Sequence, residues 1–313
     1  MVDSVLSHGA EVWAVQLVAA ATAGDTRGGA CSSGSGAETL HLGFLRRLLG
    51  VRQATPNGAV LLETGEQPLW VRWIRRAARL WNRLVAAPAG SLLRRAFEAS
   101  LQLAADAPPG LRLEEQSWAG QLAVALGHIG MPVDLQNPRQ LSLQLLQQRA
   151  LAHHLEEVRA VAARPGATKM AQYVGVILGG RLPTPEEYAP AAYIRAVRQR
   201  ARRVALAQLR TGSHWLGEET GRWARVPREQ RVCPHCQGGV EGVHHVLFEC
   251  PLYASARDRF PDLFPPGGQP EVAAFLQQCP GLLSAFVSEC HRRHVVAAAA
   301  AAGSEAAPAP GPA

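Results

Sequence analysis

The chain has 313 residues, 47% of them hydrophobic, which is long enough to bury a sizeable core in about two domains without disulfide staples. Thirty-two basic against 25 acidic residues leave a net charge of +7, favouring polyanionic partners, and no apolar run approaches the roughly 20 residues a membrane span requires. Lys169 is the only lysine in a chain rich in Ala, Gly and Pro, so the preference for Arg reflects a compositional skew rather than Arg-specific chemistry.

Near the N-terminus, Val12 to Ala23 is apolar and ends Ala-Thr-Ala, as a signal peptide would. Asp3, His8 and Glu11 precede it and no Lys or Arg does, so the positive leader is missing and a buried helix or strand is expected. Gly24 to Gly36 reads as a surface loop. Leu40 to Leu49 then makes a short helix closed by Gly50, and Thr55-Pro56 and Gly65 with Pro68 repeat the stop-and-start signal of closely spaced helices.

From Leu69 to Leu84, the residues Trp70, Trp73, Ile74, Ala77, Leu80, Trp81 and Leu84 keep helical spacing, which predicts a core-facing stripe. Arg72, Arg76, Arg79 and Arg83 line another face, open to phosphate contact. Ala105 to Gly110 reads as a boundary, and Gln116 to Arg164 as further helices. Within these, His153 and His154 point about 100° apart and so are expected as surface histidines rather than joint metal ligands.

The charge is concentrated downstream. Between residues 191 and 231 lie ten arginines (Arg195, Arg198, Arg200, Arg202, Arg203, Arg210, Arg222, Arg225, Arg228 and Arg231) against Glu218, Glu219 and Glu229. Ten minus three is the whole +7, and the remainder holds 22 of each sign. A continuous helix here would turn Arg195, Arg198 and Arg202 outward and dock Ile194, Val197, Ala201 and Val204 on the protein.

Cys233-Pro-His-Cys236 places two thiols on a tight turn, and His245 and Cys250 complete a Cys-x2-Cys-x8-His-x4-Cys pattern. Four soft or borderline donors with no spare position describe a structural tetrahedral zinc site, and so short a segment is expected to owe its fold largely to the metal. His244 offers an alternative spacing and His235 sits inside the first turn, but the x4 interval to Cys250 favours His245. Cys31, Cys279 and Cys290 lie outside the cluster and are expected to be ordinary thiols, which suits a reducing compartment. Beyond Val295, an Ala run and a Pro/Ala/Gly end predict a frayed helix and a disordered tail.

These residues resemble the C-terminal part of reverse transcriptases encoded by non-LTR, LINE-type retrotransposons. One block runs from Glu11-Val12-Trp13 through His41 to Arg52, then Thr55-Pro56-Asn57, Glu63-Thr64-Gly65, Pro68-Leu69 and Arg79-Leu80-Trp81-Asn82. A second comprises Leu209 to His214, Gly221-Arg222-Trp223, Arg231-Val232-Cys233, Cys236, His245, Cys250 to Tyr253, and Arg257. The resemblance implies thumb-like helices that hold a template–primer duplex, followed by a Cys-Cys-His-Cys zinc knuckle. It does not extend to the palm. Polymerisation needs carboxylates on two metal ions, and the six aspartates (Asp3, Asp25, Asp106, Asp134, Asp258, Asp262) include no adjacent pair. An endonuclease motif opening at Pro261-Asp262 has no later lysine to complete it, so a turn is expected there.

The expectation is a mainly α protein that is not a complete enzyme. Residues 1–108 would be thumb-like helices, 109–190 a helical connector, 191–262 the Arg-rich helix and zinc knuckle, and 263–313 a helical tail ending in low complexity. Its partners would be RNA or DNA, held mostly by their backbones through Arg72, Arg76, Arg79, Arg83, Arg195, Arg198, Arg202, Arg203, Arg210, Arg222 and Arg225. No membrane and no small-molecule substrate is implied, and the expected location is intracellular, in nucleus or cytoplasm, not secreted. Trp223 or Tyr253 would either stack an unpaired base or pack on the zinc turn. The alternative is a cellular scaffold in which zinc and helices present a protein-binding face.

Overall fold

The computed structural model describes residues 5–23, 35–166, 168–264 and 271–305. The fold is mainly α, as expected. Among the described residues, extended pairing is confined to one antiparallel bridge, Val232 to Val240, and no helix is long and apolar enough to cross a membrane. Cys31, most of the glycine-rich loop and residues 306–313 lie outside this description.

Two compact units divide the chain. The first comprises residues 1–45, 56–170 and 182–189, and the second residues 46–55, 171–181 and 190–313. The expected boundary at 108/109 falls inside the first unit, because one core runs across it: Phe97 and Leu101 belong to the same buried cluster as Ala119, Leu122 and Leu126. The boundary expected at 262/263 likewise falls inside the second.

In the first unit, α1 (Ala10–Trp13), α2 (Val15–Thr22), the start of α3 (Gly36–Leu49), α4 (Asn57–Thr64), α5 (Leu69–Val85), α6 (Leu92–Ala105), α7 (Trp118–His128) and α8 (Leu143–Ala162) follow closely. Serine side chains open four of them: Ser35, Ser91, Ser117 and Ser142 accept from the backbone N–H groups of Glu38, Arg94, Gly120 and Leu145 at 3.2 to 3.3 Å. Helix α5 is the spine. Trp70, Trp73, Ile74, Ala77, Trp81 and Leu84 are buried along it, as their spacing predicts, while Arg75, Arg79 and Arg83 are exposed. Each buried indole N–H must find an acceptor. Trp73 donates to Ser7 Oγ at 3.1 Å and Trp81 to the Arg139 carbonyl at 2.8 Å, and the Trp81 ring meets Phe97 edge-on at 5.0 Å. Asn82 fixes the approach to α8 by donating to the Leu141 carbonyl and accepting from the Leu141 N–H.

His154 is fully buried on α8, in line with Ala150, Val158 and Val161, which corrects the surface position expected for it. The 100° separation that keeps two adjacent histidines from sharing an ion also turns one of them inward. Burial pushes the His154 pKa down to about 3.

The second unit contains the end of α3, α9 (Thr168–Gln172) from Ala171 onward, α10 (Ala192–Ala196), α11 (Arg200–Arg210), α12 (Gly217–Trp223), α13 (Ala254–Asp258), α14 (Val272–Phe275) and α15 (Pro280–Glu305). Helices α10 and α11 pack on α15. Gly50 is required here: its φ is +70°, and an added Cβ would lie 2.7 Å from Val204 Cγ1. Phe248, Phe264, Phe275 and Phe286 form an aromatic cluster with ring centroids 5.1 to 6.4 Å apart.

The Arg-rich segment is not one helix. It breaks between α10 and α11, where Val197 is extended (φ −98°, ψ 105°). The break buries both Tyr193 and Val197, and Arg203 donates to the freed Val197 carbonyl at 3.0 Å. Of the apolar stripe expected for a continuous helix, Val197 alone is buried, and Ala201 is exposed.

Candidate metal centre

The first half of the site is a tight loop between the bridged residues Val232 and Val240. The Cys233 N–H donates to the Gly239 carbonyl at 2.8 Å and the Gln237 N–H to the Cys233 carbonyl at 2.9 Å, with Gln237 left-handed at φ +54°. This turns the side chains of Cys233 and Cys236 to one side. The second half is the wide helical turn His245–Glu249, closed by the Cys250 N–H on the His245 carbonyl at 2.8 Å. Val246, Leu247 and Phe248 on that turn are buried, and Arg257 donates to the Cys250 carbonyl at 2.8 Å. The knuckle's second arm is therefore anchored in the aromatic cluster. The first arm has no comparable apolar anchor beyond Cys233 among its residues 232–240.

The four side chains expected from the spacing converge. The Sγ atoms of Cys233 and Cys250 are 3.8 Å apart, Cys236 Sγ is 3.1 Å from His245 Nε2, and all four donor atoms lie within 4.8 Å of one another. Tetrahedral bonds of about 2.3 Å to sulfur would set two thiolates roughly 3.8 Å apart, so the cluster has the dimensions of a metal site. His244 is exposed and faces Glu249 at 3.1 Å, outside the cluster. The other ring nitrogen of His245, Nδ1, is 3.0 Å from Glu249 Oε2, an arrangement that leaves Nε2 free to coordinate.

The donor chemistry asks for a cation. Burial pushes the Cys250 thiol up to about 12 and raises Cys233 as well; at Cys236 the burial cost is outweighed by hydrogen bonds from the Gly238 N–H, the neighbouring thiols and His245, and the thiol is lowered. Buried thiols held this close are stable as thiolates only when a divalent charge sits among them. The cluster thus fits a metal ion.

The arginines expected on nucleic acid divide by environment. Arg195, Arg198 and Arg225 are exposed, and Arg202 and Arg203 half-buried. Arg210 is buried, its guanidinium donating to the Leu276 carbonyl at 3.1 Å, so the outward role expected for it is corrected. Arg222 pairs with Glu219 at 3.6 Å. In the first unit Arg79 and Arg83 are exposed, Arg76 is half-buried, and Arg72 is ion-paired with Glu66. Tyr253 is fully buried beside the knuckle, as the packing alternative required. Trp223 instead stands 55% exposed, with the Arg52 guanidinium 4.0 Å over its ring.

Sequence reasoning overlooked Glu249 and the buried Glu241. The signal for Glu249 was present, since an acid four residues after a ligand histidine reaches back over one helical turn. Compared with protein-family models, with curated proteins and with solved structures, the chain matches none of them.

Proposed function

We propose that this chain is a zinc-containing, nucleic-acid-binding portion of a LINE-type reverse transcriptase, gripping RNA or DNA by its backbone and carrying no polymerase step of its own. The observation that carries the reading is the pairing, within one unit, of the Cys233, Cys236, His245 and Cys250 cluster with the exposed arginines Arg195, Arg198, Arg200 and Arg225. Zinc is the metal that three thiolates and one imidazole select. Exposed guanidinium groups with no acid paired to them among the described residues suit phosphates, and the half-exposed ring of Trp223 suits an unpaired base.

Each phosphate neutralised releases condensed counterion, so log affinity falls with log salt by roughly 0.7 to 0.9 per contact. Replacing Arg195, Arg198 and Arg200 together by Gln should flatten that slope by about 2 to 3, with zinc content and helicity unchanged. The measurement is a salt titration of binding to single-stranded RNA and duplex DNA. An unaltered slope and affinity in the triple variant would overturn the reading in favour of a protein-binding scaffold.

A further inference from the structure

A second group of metal-ligating side chains lies in the same unit, distinct from the knuckle's four. His235 comes from the loop between Cys233 and Cys236, Glu241 follows the bridge residue Val240, and His294 projects from α15. One donor atom from each lies within 4.8 Å of the other two. We propose that His235, Glu241 and His294 form a second, exchangeable site for a divalent transition-metal ion of the zinc type, with an open coordination position.

Three observations support the site. Glu241 is only 3% exposed, its Oε2 accepts the Gly217 N–H at 2.7 Å, and its Oε1 has no hydrogen-bond donor among the described residues. His294 Nδ1 lies 3.2 Å from that same Oε1, and 3.4 Å from the Tyr253 hydroxyl, the long end of hydrogen bonding. An ion pair with His294 would satisfy Glu241 but does nothing for His235. His235 Nε2 is shut from solvent without a hydrogen-bond partner among the described residues, and the His235 ring meets that of His294 edge-on at 5.5 Å. A cation shared by all three residues answers both vacancies at once.

The donor set differs in kind from the first. Two imidazoles and one carboxylate are the protein ligands of catalytic and exchangeable sites, where water or a ligand oxygen completes the shell. All three residues line a cavity of about 610 Å3, together with Trp215, Thr220 and Arg231, which gives a fourth ligand room to enter. With bonds near 2.0 to 2.2 Å, closing onto an ion asks each donor to move inward by less than about 1 Å, within reach of imidazole rotation. Lacking thiolates, the site binds more weakly than the knuckle and releases its ion to mild chelators.

Cobalt separates the two sites. Thiolate ligands give cobalt(II) an intense sulfur-to-metal charge-transfer band, whereas two histidines and a carboxylate give only ligand-field absorption. Titrating the metal-free full chain with cobalt should fill the thiolate band at one equivalent and then add a second, band-silent equivalent. His294→Ala and His235→Asn should each weaken that second event at least ten-fold and leave the thiolate band and helicity unchanged. Saturation at one cobalt per chain, or a second equivalent that both variants bind as tightly as the parent, would overturn the proposal. A missing thiolate band with the second event intact would refute the knuckle and support this site.

Discussion

The two units solve the same problem by opposite means. Around α5 the first unit encloses Trp70, Trp73 and Trp81 in an apolar core, where the indole N–H groups of Trp73 and Trp81 donate to protein acceptors. In the second unit the loop between Val232 and Val240 buries Cys233, and Glu241 is buried directly after it, polar groups whose burial is costly unless they are partnered. Apolar burial is additive and tolerant; a polar cluster is satisfied almost completely or hardly at all. Damage to the first unit should therefore be graded, and damage to the metal loop abrupt.

Metal removal is the strongest way to break this contrast. Apparent binding energies of ~10–16 kcal/mol are typical for structural zinc, so a strong chelator or Cys236→Ser should release the loop 232–241 and spare the first unit. Hydrogen exchange would show it, with the His245–Glu249 turn losing less protection because Val246, Leu247 and Phe248 stay anchored. Equal loss in both units would mean that they do not differ in this way.

Trp81→Ala should cost about 3–5 kcal/mol of first-unit stability through the cavity it leaves, with zinc content unchanged. Denaturant unfolding of the variant measures the first and metal analysis the second.

The contribution of His154 to the pH dependence of the first unit should be smaller, and one-sided. His154 has a folded-state pKa near 3 against 6.5 when free, so it takes up its proton more readily in the unfolded chain. The stability of its neutral form is fully present above about pH 6.5 and is lost as pH falls towards 3, on the order of 2 kcal/mol by pH 5. Glu157, 4.0 Å away, offers no compensating anion, since burial raises its own pKa to about 7. His154→Leu should remove this part of the acid slope; parallel pH profiles for parent and variant would refute the assignment.

The smallest effect belongs to Glu249→Ala. Losing the carboxylate behind His245 should weaken metal affinity about 10- to 100-fold without unfolding the turn, as metal competition would reveal.

Much of this contrast was legible in the sequence. Tryptophans at helical spacing and four donors at ligand spacing are local patterns, and local patterns survive folding. The break at Val197 was not legible, because no Pro or Gly marks it and the periodicity of residues 191–210 runs through it. It exists because Tyr193 and Val197 are buried separately from α11, which is tertiary information. Arg210 misled for the same reason: charge suggested solvent, whereas the Leu276 carbonyl and the Tyr193 ring, 5.7 Å from the guanidinium, give it an interior berth. His154 was readable in hindsight, in step with Ala150, Val158 and Val161.

The second unit's dependence on residues 46–55 bears on how the chain acquires its structure during synthesis. Gly50 receives Val204 and accepts from the Gln208 side chain at 2.7 Å, and the Arg52 N–H donates to Ser213 Oγ at 2.9 Å. These partners emerge from the ribosome some 150 residues after the segment that meets them. That early segment must wait, its contacts unmade, while most of the first unit is synthesised. Closing so long a loop costs little more entropy than closing one half its length, about 0.6 kcal/mol per doubling, so the delay is kinetic rather than thermodynamic. A fragment cut to begin at residue 191 would lose those contacts however well its cysteines were supplied with metal.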